Sequence, residues 1–243
     1  MRKLVWMLGL GVVVACSSDP VASSPTDAGT SGGDAASGDG GGGGGTCAAD
    51  QLLGPVDAVS AGDVAVLSDT GGVKTLFVDA AAGGPQGAAT SPRVYLNLES
   101  ATRVAVTDKA ARASQAWDLA LKRPILFTNS GDGGSGQGGA VLVPKAFDAV
   151  TPADAASASP TPERFFGANC APELDQTGAV KTSFDGWYEY DTATNGLSPR
   201  AGTWLVKGAT GKLYKVQIVT YYAMPDGGVG QAGGRYTLKV GAL

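Results

Sequence analysis

The chain contains no histidine. That single absence excludes catalytic dyads and triads built on imidazole, zinc sites that use His, and His-ligated haem. Charge and aromatics are also scarce, at 16% and 7% of 243 residues, and there are only three methionines and three cysteines. A net charge of -4 provides no basic surface for a phosphate backbone, so nucleic acid is excluded as a partner. No internal repeat is present, and no pair of carboxylates is singled out by spacing as a glycosidase would require. Most enzyme classes are thereby removed, and a non-enzymatic protein is the expectation.

What is present begins with an address. Arg2 and Lys3 precede an apolar run over residues 4–14, which ends Val13-Val14-Ala15-Cys16. The run is too short to span a bilayer comfortably. Its charged start and small residues fit a signal peptide over residues 1–15. Cysteine directly after Val-Val-Ala resembles the lipobox of bacterial lipoproteins, in which that Cys (here Cys16) is lipidated and anchors the chain. The competing reading is an ordinary signal peptide with an incidental Cys. Residues 17–46 are Ser, Gly, Asp, Ala, Pro and Thr with Val21 as the only large aliphatic, ten of the thirty being glycine. Such a segment buries too little apolar surface to offset its ordering entropy, which predicts a disordered linker. It would reach roughly 30 Å as a Gly-rich coil, enough to lift a domain clear of a membrane. Asp19 does not directly follow Cys16, which favours the outer membrane over retention at the inner one. The expected place is the bacterial cell envelope, periplasmic or surface-exposed.

Residues 47–243 are left for one domain with its own core. Apolar residues alternate with period two: Tyr236, Leu238 and Val240 against Arg235, Thr237 and Lys239; Tyr214, Val216 and Ile218 against Lys215 and Gln217; Val94, Leu96 and Leu98 against Arg93, Tyr95 and Asn97. Val104 and Val106 follow the same rule. Further strands are predicted at 64–67, 73–78, 117–121, 125–128, 140–143, 187–190 and 203–206. This is the pattern of antiparallel strands with one face on the core and one on water. Turns are expected at Thr70-Gly71-Gly72, Ala209-Thr210-Gly211 and Asp226-Gly227-Gly228. The only helix expected is a short turn within 108–115, with Asp108 as its cap. The fold class read from the sequence is therefore all-β, antiparallel and sandwich-like, with at most one short helix. Cys47 and Cys170 remain after lipidation of Cys16. In an oxidising compartment they pair as a disulfide or stay as two free thiols.

Four features compete for function. Gly131, Gly133 and Gly136 satisfy G-x-G-x-x-G, but a strand-like run, Ala140-Val141-Leu142-Val143, follows where a dinucleotide site needs a helix. A wide, flexible glycine hairpin between two strands is the expectation there. Trp117, Trp187 and Trp204 sit in strand patterns and are expected in the core, and Met224 is expected as core or loop filler. Residues 152–182 lack periodicity, with Phe165 and Phe166 as their main apolar anchors.

Several motifs, taken together, resemble the HmuY family. They are Ala116-Trp117-Asp118-Leu119-Ala120-Leu121-Lys122-Arg123, Phe127-Thr128-Asn129 with the glycine stretch to Gly138-Gly139-Ala140-Val141, Gly186-Trp187-Tyr188-Glu189-Tyr190, the run from Trp204 to Ile218, Tyr221-Tyr222 and Tyr236-Thr237-Leu238. The resemblance covers most of residues 52–240. It implies an all-β, lipid-anchored or shed surface protein that binds haem through two axial ligands for iron acquisition and passes it to an outer-membrane receptor. The chain departs from the family at the ligands. Five residues after Trp187, where the His-type members carry one ligand, stands Thr192. The segment expected to carry the other offers only Cys170 as a soft donor. Haem iron needs imidazole, thiolate, thioether or phenolate, so the haem-binding candidates are Met224, Tyr188, Tyr190, Tyr221 and Tyr222. Strand alternation predicts that Tyr221 and Tyr222 point to opposite faces. Two readings follow: a haem- or porphyrin-binding lipoprotein, or an HmuY-like β scaffold that has lost haem ligation and binds another protein, glycan or small molecule at the cell surface.

Overall fold

The computed structural model describes Cys47 and residues 52–243. The signal peptide, Cys16 and the linker fall outside the described residues. Strands β1 (Val64–Thr70) and β2 (Val73–Asp79) form a hairpin whose turn, Gly71-Gly72, has both φ angles positive, as two-residue hairpin loops require. β2 continues into a six-stranded sheet by pairing with β12 (Arg235–Ala242), and β12 pairs with β11 (Leu213–Thr220). β10 (Thr203–Lys207) follows, with β7 (Gly139–Val143) at the far edge. A four-stranded sheet has the order β4 (Thr102–Arg103), β3 (Val94–Asn97), β5 (Leu119–Lys122), β6 (Ile125–Thr128). β8 (Tyr188–Asp191) and β9 (Gly196–Pro199) make a separate two-stranded ribbon. All named pairings are antiparallel, and these elements lie in one unit, Gly45–Leu243.

Period two decides where the core sits. Leu76 and Val78 of β2 and Leu238 and Val240 of β12 meet Leu96 of β3 and Leu119 and Leu121 of β5 in one buried cluster between the sheets. The alternate residues of the smaller sheet were expected on water, but Tyr95, Ala120 and Phe127 are buried in a second cluster with Trp117, Phe165 and Phe166. Burial on both faces arises because the aperiodic stretch folds back and covers the outer face. Tyr95, Trp117, Phe127 and Phe165 form, in that order, a chain of edge-to-face contacts at 4.9, 6.0 and 5.6 Å between ring centres, the arrangement the ring quadrupole favours.

The antiparallel all-β class stands, but short helices occur at several places among the described residues where at most one was expected, among them α1 (Gly84–Gly87), α2 (Asp108–Ala111) and α3 (Pro152–Ser157). α3 carries a reciprocal capping box between Thr151 and Asp154, a signal hidden by its Ala- and Ser-rich composition. α2 is capped by Thr107, whose hydroxyl accepts from Ala110 N, and not by Asp108. The Asp108 carboxylate is buried instead. It accepts from Val56 N, Arg93 N, Arg93 Nη1 and the Tyr95 hydroxyl at 2.9–3.0 Å. Val104 and Val106 lie beyond β4, which is only two residues long.

The glycine stretch is no hairpin, because β6 and β7 belong to different sheets. Residues 129–138 cross between them, packed around Asn129. Its Oδ1 accepts from Gly136 N at 3.0 Å, and its Nδ2 donates to Ser114 O and Trp117 O. A Cβ at Gly136 would stand 2.6 Å from Asn129 O and 2.8 Å from Ala209 Cβ, so glycine serves close packing here. Cys47 and Cys170 are joined, with Cα atoms 5.3 Å apart across a separation of 123 residues.

Candidate functional site

The β8–β9 ribbon is held at its base by aromatic side chains. Trp187 is buried and donates from Nε1 to Pro124 O at 2.8 Å, fixing the ribbon to the β5–β6 turn. Its ring meets those of Tyr188, Tyr221 and Tyr236 at 4.9, 5.8 and 5.7 Å. The Tyr222 hydroxyl accepts from Leu197 N at 2.8 Å, tying β9 down from behind. Gly186, directly before Trp187, has φ of 70° and leaves room for Arg200: a Cβ there would lie 3.2 Å from the guanidinium.

Facing the ribbon is a tight loop over residues 174–181. Leu174 and Val180 form an isolated antiparallel bridge, and Asp175 Oδ1 accepts from Thr177 N, Thr177 Oγ1 and Ala179 N. Loop and ribbon enclose a cleft of about 540 Å³, lined by Leu174, Lys181, Asp185, Tyr188, Tyr190 and Arg200 among others. The size lies in the range of small-molecule sites. Leu174 and the two tyrosines are its apolar surface, Gln176 and Thr177 add polar groups, and the exposed cations Lys181 and Arg200 share the lining with the carboxylates of Asp175 and Asp185.

The five donor candidates do not come together. Tyr188 and Tyr190 line the cleft. Tyr190 is 53% exposed and its hydroxyl donates to Asn195 Oδ1 at 2.6 Å. Tyr188 is half-buried. Burial pushes its phenol pKa up, and the Asp175 and Asp185 carboxylates add to that, so a phenolate ligand is disfavoured. Tyr221 is buried and pushed up to about 12 by desolvation. Tyr222 is its ring neighbour at 5.1 Å. β11 ends at Thr220, so alternation no longer applies and both rings pack against one core instead of facing opposite sides. Met224 is 42% exposed in the turn closed by its own N bonding Gly228 O, as loop filler. Thr192 lies exposed in the turn between β8 and β9. Among the described residues no three Cys, Asp or Glu side chains cluster as a metal site would need.

Sequence reasoning missed Glu163. Buried behind the same loop segment, its carboxylate accepts from Thr128 N, Thr128 Oγ1, Ser183 N and Ser183 Oγ at 2.5–2.9 Å. Burial nevertheless raises its pKa, the four donors opposing the shift without cancelling it. A lone Glu in a Pro/Ala/Ser-rich stretch gave no signal of this.

The family model described as HmuY protein matches residues 89–236. No curated protein matches the chain significantly. Among solved structures, a protein assigned as a lipoprotein from Bacteroides fragilis is 16% identical, with 73% of this chain and 93% of that one covered and a TM-score of 0.44. A protein assigned as HmuY-like and heme-binding from Bacteroides vulgatus is 16% identical over 73% and 96%, TM-score 0.45. The apo HmuY analogue of Tannerella forsythia is 13% identical over 76% and 99%, TM-score 0.43.

Proposed function

This chain belongs to the HmuY family, and from that premise we propose a non-enzymatic, lipid-anchored binding protein of the cell envelope that holds a flat, apolar, anionic ligand of the haem or porphyrin type. The observation that carries this reading is the cleft between the 174–181 loop and the β8–β9 ribbon. Leu174, Tyr188 and Tyr190 offer apolar and aromatic surface, and Lys181 and Arg200 supply two cations that can pair with porphyrin carboxylates in spite of the neighbouring Asp175 and Asp185. Burial of a macrocycle face contributes affinity at roughly 25 cal/mol per Å² of apolar area, with no metal bond required. Iron would add little, because the raised pKa of Tyr188 in the cleft lining disfavours a phenolate ligand there. An outer-membrane receptor would then collect the ligand for iron acquisition.

The same scatter of donors supports a second reading, in which the scaffold holds a different small molecule, glycan or protein in this cleft. Titration of the purified protein with haemin, followed at the Soret band, separates the two. The first reading predicts one saturable equivalent, weakened several-fold by Lys181→Ala and by Arg200→Ala. Absence of any Soret change would leave only the second.

A further inference from the structure

A second cavity, of about 460 Å³, lies on the other side of the 174–180 loop from the cleft. Its walls are Leu52, Leu53, Ala88, Ile125, Leu174 and Val180, all apolar. Among the described residues its polar side chains are cationic, Lys122 at the end of β5, Arg123 and Arg93, and no carboxylate lines it.

Two of these cations already have work. Arg123 donates from Nη1 to Gly233 O at 2.9 Å. Arg93, only 6% exposed, pairs through Nη1 with Asp108 and through Nη2 with Leu53 O, but its buried Nε has no acceptor. Lys122 is half-buried, and no hydrogen bond or ion pair to it occurs among the described residues. Burial, and then the neighbouring Arg93, pull the Lys122 pKa down, with the Asp108 carboxylate opposing the shift. A desolvated ammonium and an orphaned guanidinium N–H beside an apolar chamber are costly unless an anion arrives. The Arg93 charge is met by Asp108, whereas the Lys122 ammonium stands at this cavity with no carboxylate against it among the described residues.

We propose that this cavity is a binding site for a single-headed amphiphilic carboxylate, a fatty acid, whose head pairs with Lys122 and whose alkyl chain lies among Leu52, Leu53, Ile125 and Val180. A carboxylate is favoured over an alcohol by Lys122 and Arg123, which no carboxylate pairs among the described residues, and a single alkyl chain over a porphyrin by a lining that is aliphatic and contains no aromatic ring. The site is distinct from the cleft, sharing only Leu174 with it.

The test is calorimetric titration of the purified protein with dodecanoate, dodecanol and dodecyltrimethylammonium below their critical micelle concentrations. The expected result is one saturable equivalent of dodecanoate, with dodecanol at least about tenfold weaker and the cation unbound, in line with the worth of one charge-assisted pair. Lys122→Met keeps the aliphatic stem and should lose the preference for dodecanoate over dodecanol, and Lys122→Arg should restore it. The porphyrin titration should be unchanged in Lys122→Met. Equal affinity for the acid and the alcohol, or a Lys122→Met variant that still prefers the acid, would overturn the proposal, as would no saturable dodecanoate binding.

Discussion

Glu163 reaches under strand β6 and accepts the Thr128 backbone N–H at 2.6 Å, across 35 residues of chain. The same carboxylate holds Ser183 through two donors. One buried side chain thus fastens the segment that leads into the binding cleft to the smaller sheet. Glu163→Ala would orphan several buried donors at once and should cost on the order of 3 kcal/mol. Urea unfolding checks this, and a loss under about 1 kcal/mol would mean that water replaces the carboxylate easily.

The Cys47–Cys170 bridge closes a long loop, worth about 4–5 kcal/mol in the chain-entropy view. The paired Cys47→Ser, Cys170→Ser protein should melt several degrees lower than the oxidised protein. Because Cys170 lies just before the 174–181 loop, ligand affinity should fall as well. Melting curves that superpose would show that the crosslink constrains nothing important.

Tyr221 gives a pH signature. Its phenol is raised from 10.0 to about 12 by burial, so the unfolded chain releases this proton first. Its contribution to stability is intact below pH 10 and is lost as pH climbs towards 12. Tyr221→Phe should therefore lose less stability than the wild type between pH 10 and 12. Denaturant midpoints measured across that window check the sign, and parallel curves for the two proteins would refute it.

Much of the fold was legible in the residues. Ile125 to Thr128 alternates between two clusters as period two requires, and Val73-Lys74-Thr75-Leu76-Phe77-Val78 reads as a strand from β-branched and aromatic content alone. Gly196-Leu197-Ser198-Pro199 gave no such signal, because β9 is held by Tyr222 and by β8 rather than by its own propensities. The crossing of residues 129–138 between sheets was equally hidden, since alternation fixes faces but not strand partners. The cleft followed in part. Tyr188 and Tyr190 were picked out in advance, whereas Lys181, Arg200 and Leu174 come to them only through the loop's return. Lys122 and Arg93 were read as a family motif and a strand residue, because desolvation by distant segments leaves no mark on local sequence.

The proposed lipid anchor is Cys16. Cys16→Ser should abolish lipid labelling of the chain in its native host and release the protein from the membrane fraction. Fractionation with a radiolabelled fatty acid reads both, and unchanged membrane retention in the variant would contradict the anchor.

The central claim is that the cleft between Leu174 and Tyr190 grips a porphyrin by its face and its carboxylates rather than through its metal. Equilibrium binding of haemin and of iron-free protoporphyrin to the same protein measures that directly. The account predicts dissociation constants within about threefold of one another, a haemin complex of high-spin character, and similar weakening of both by Arg200→Ala. A haemin complex that is low-spin and bound a hundredfold more tightly than the metal-free ring would contradict it.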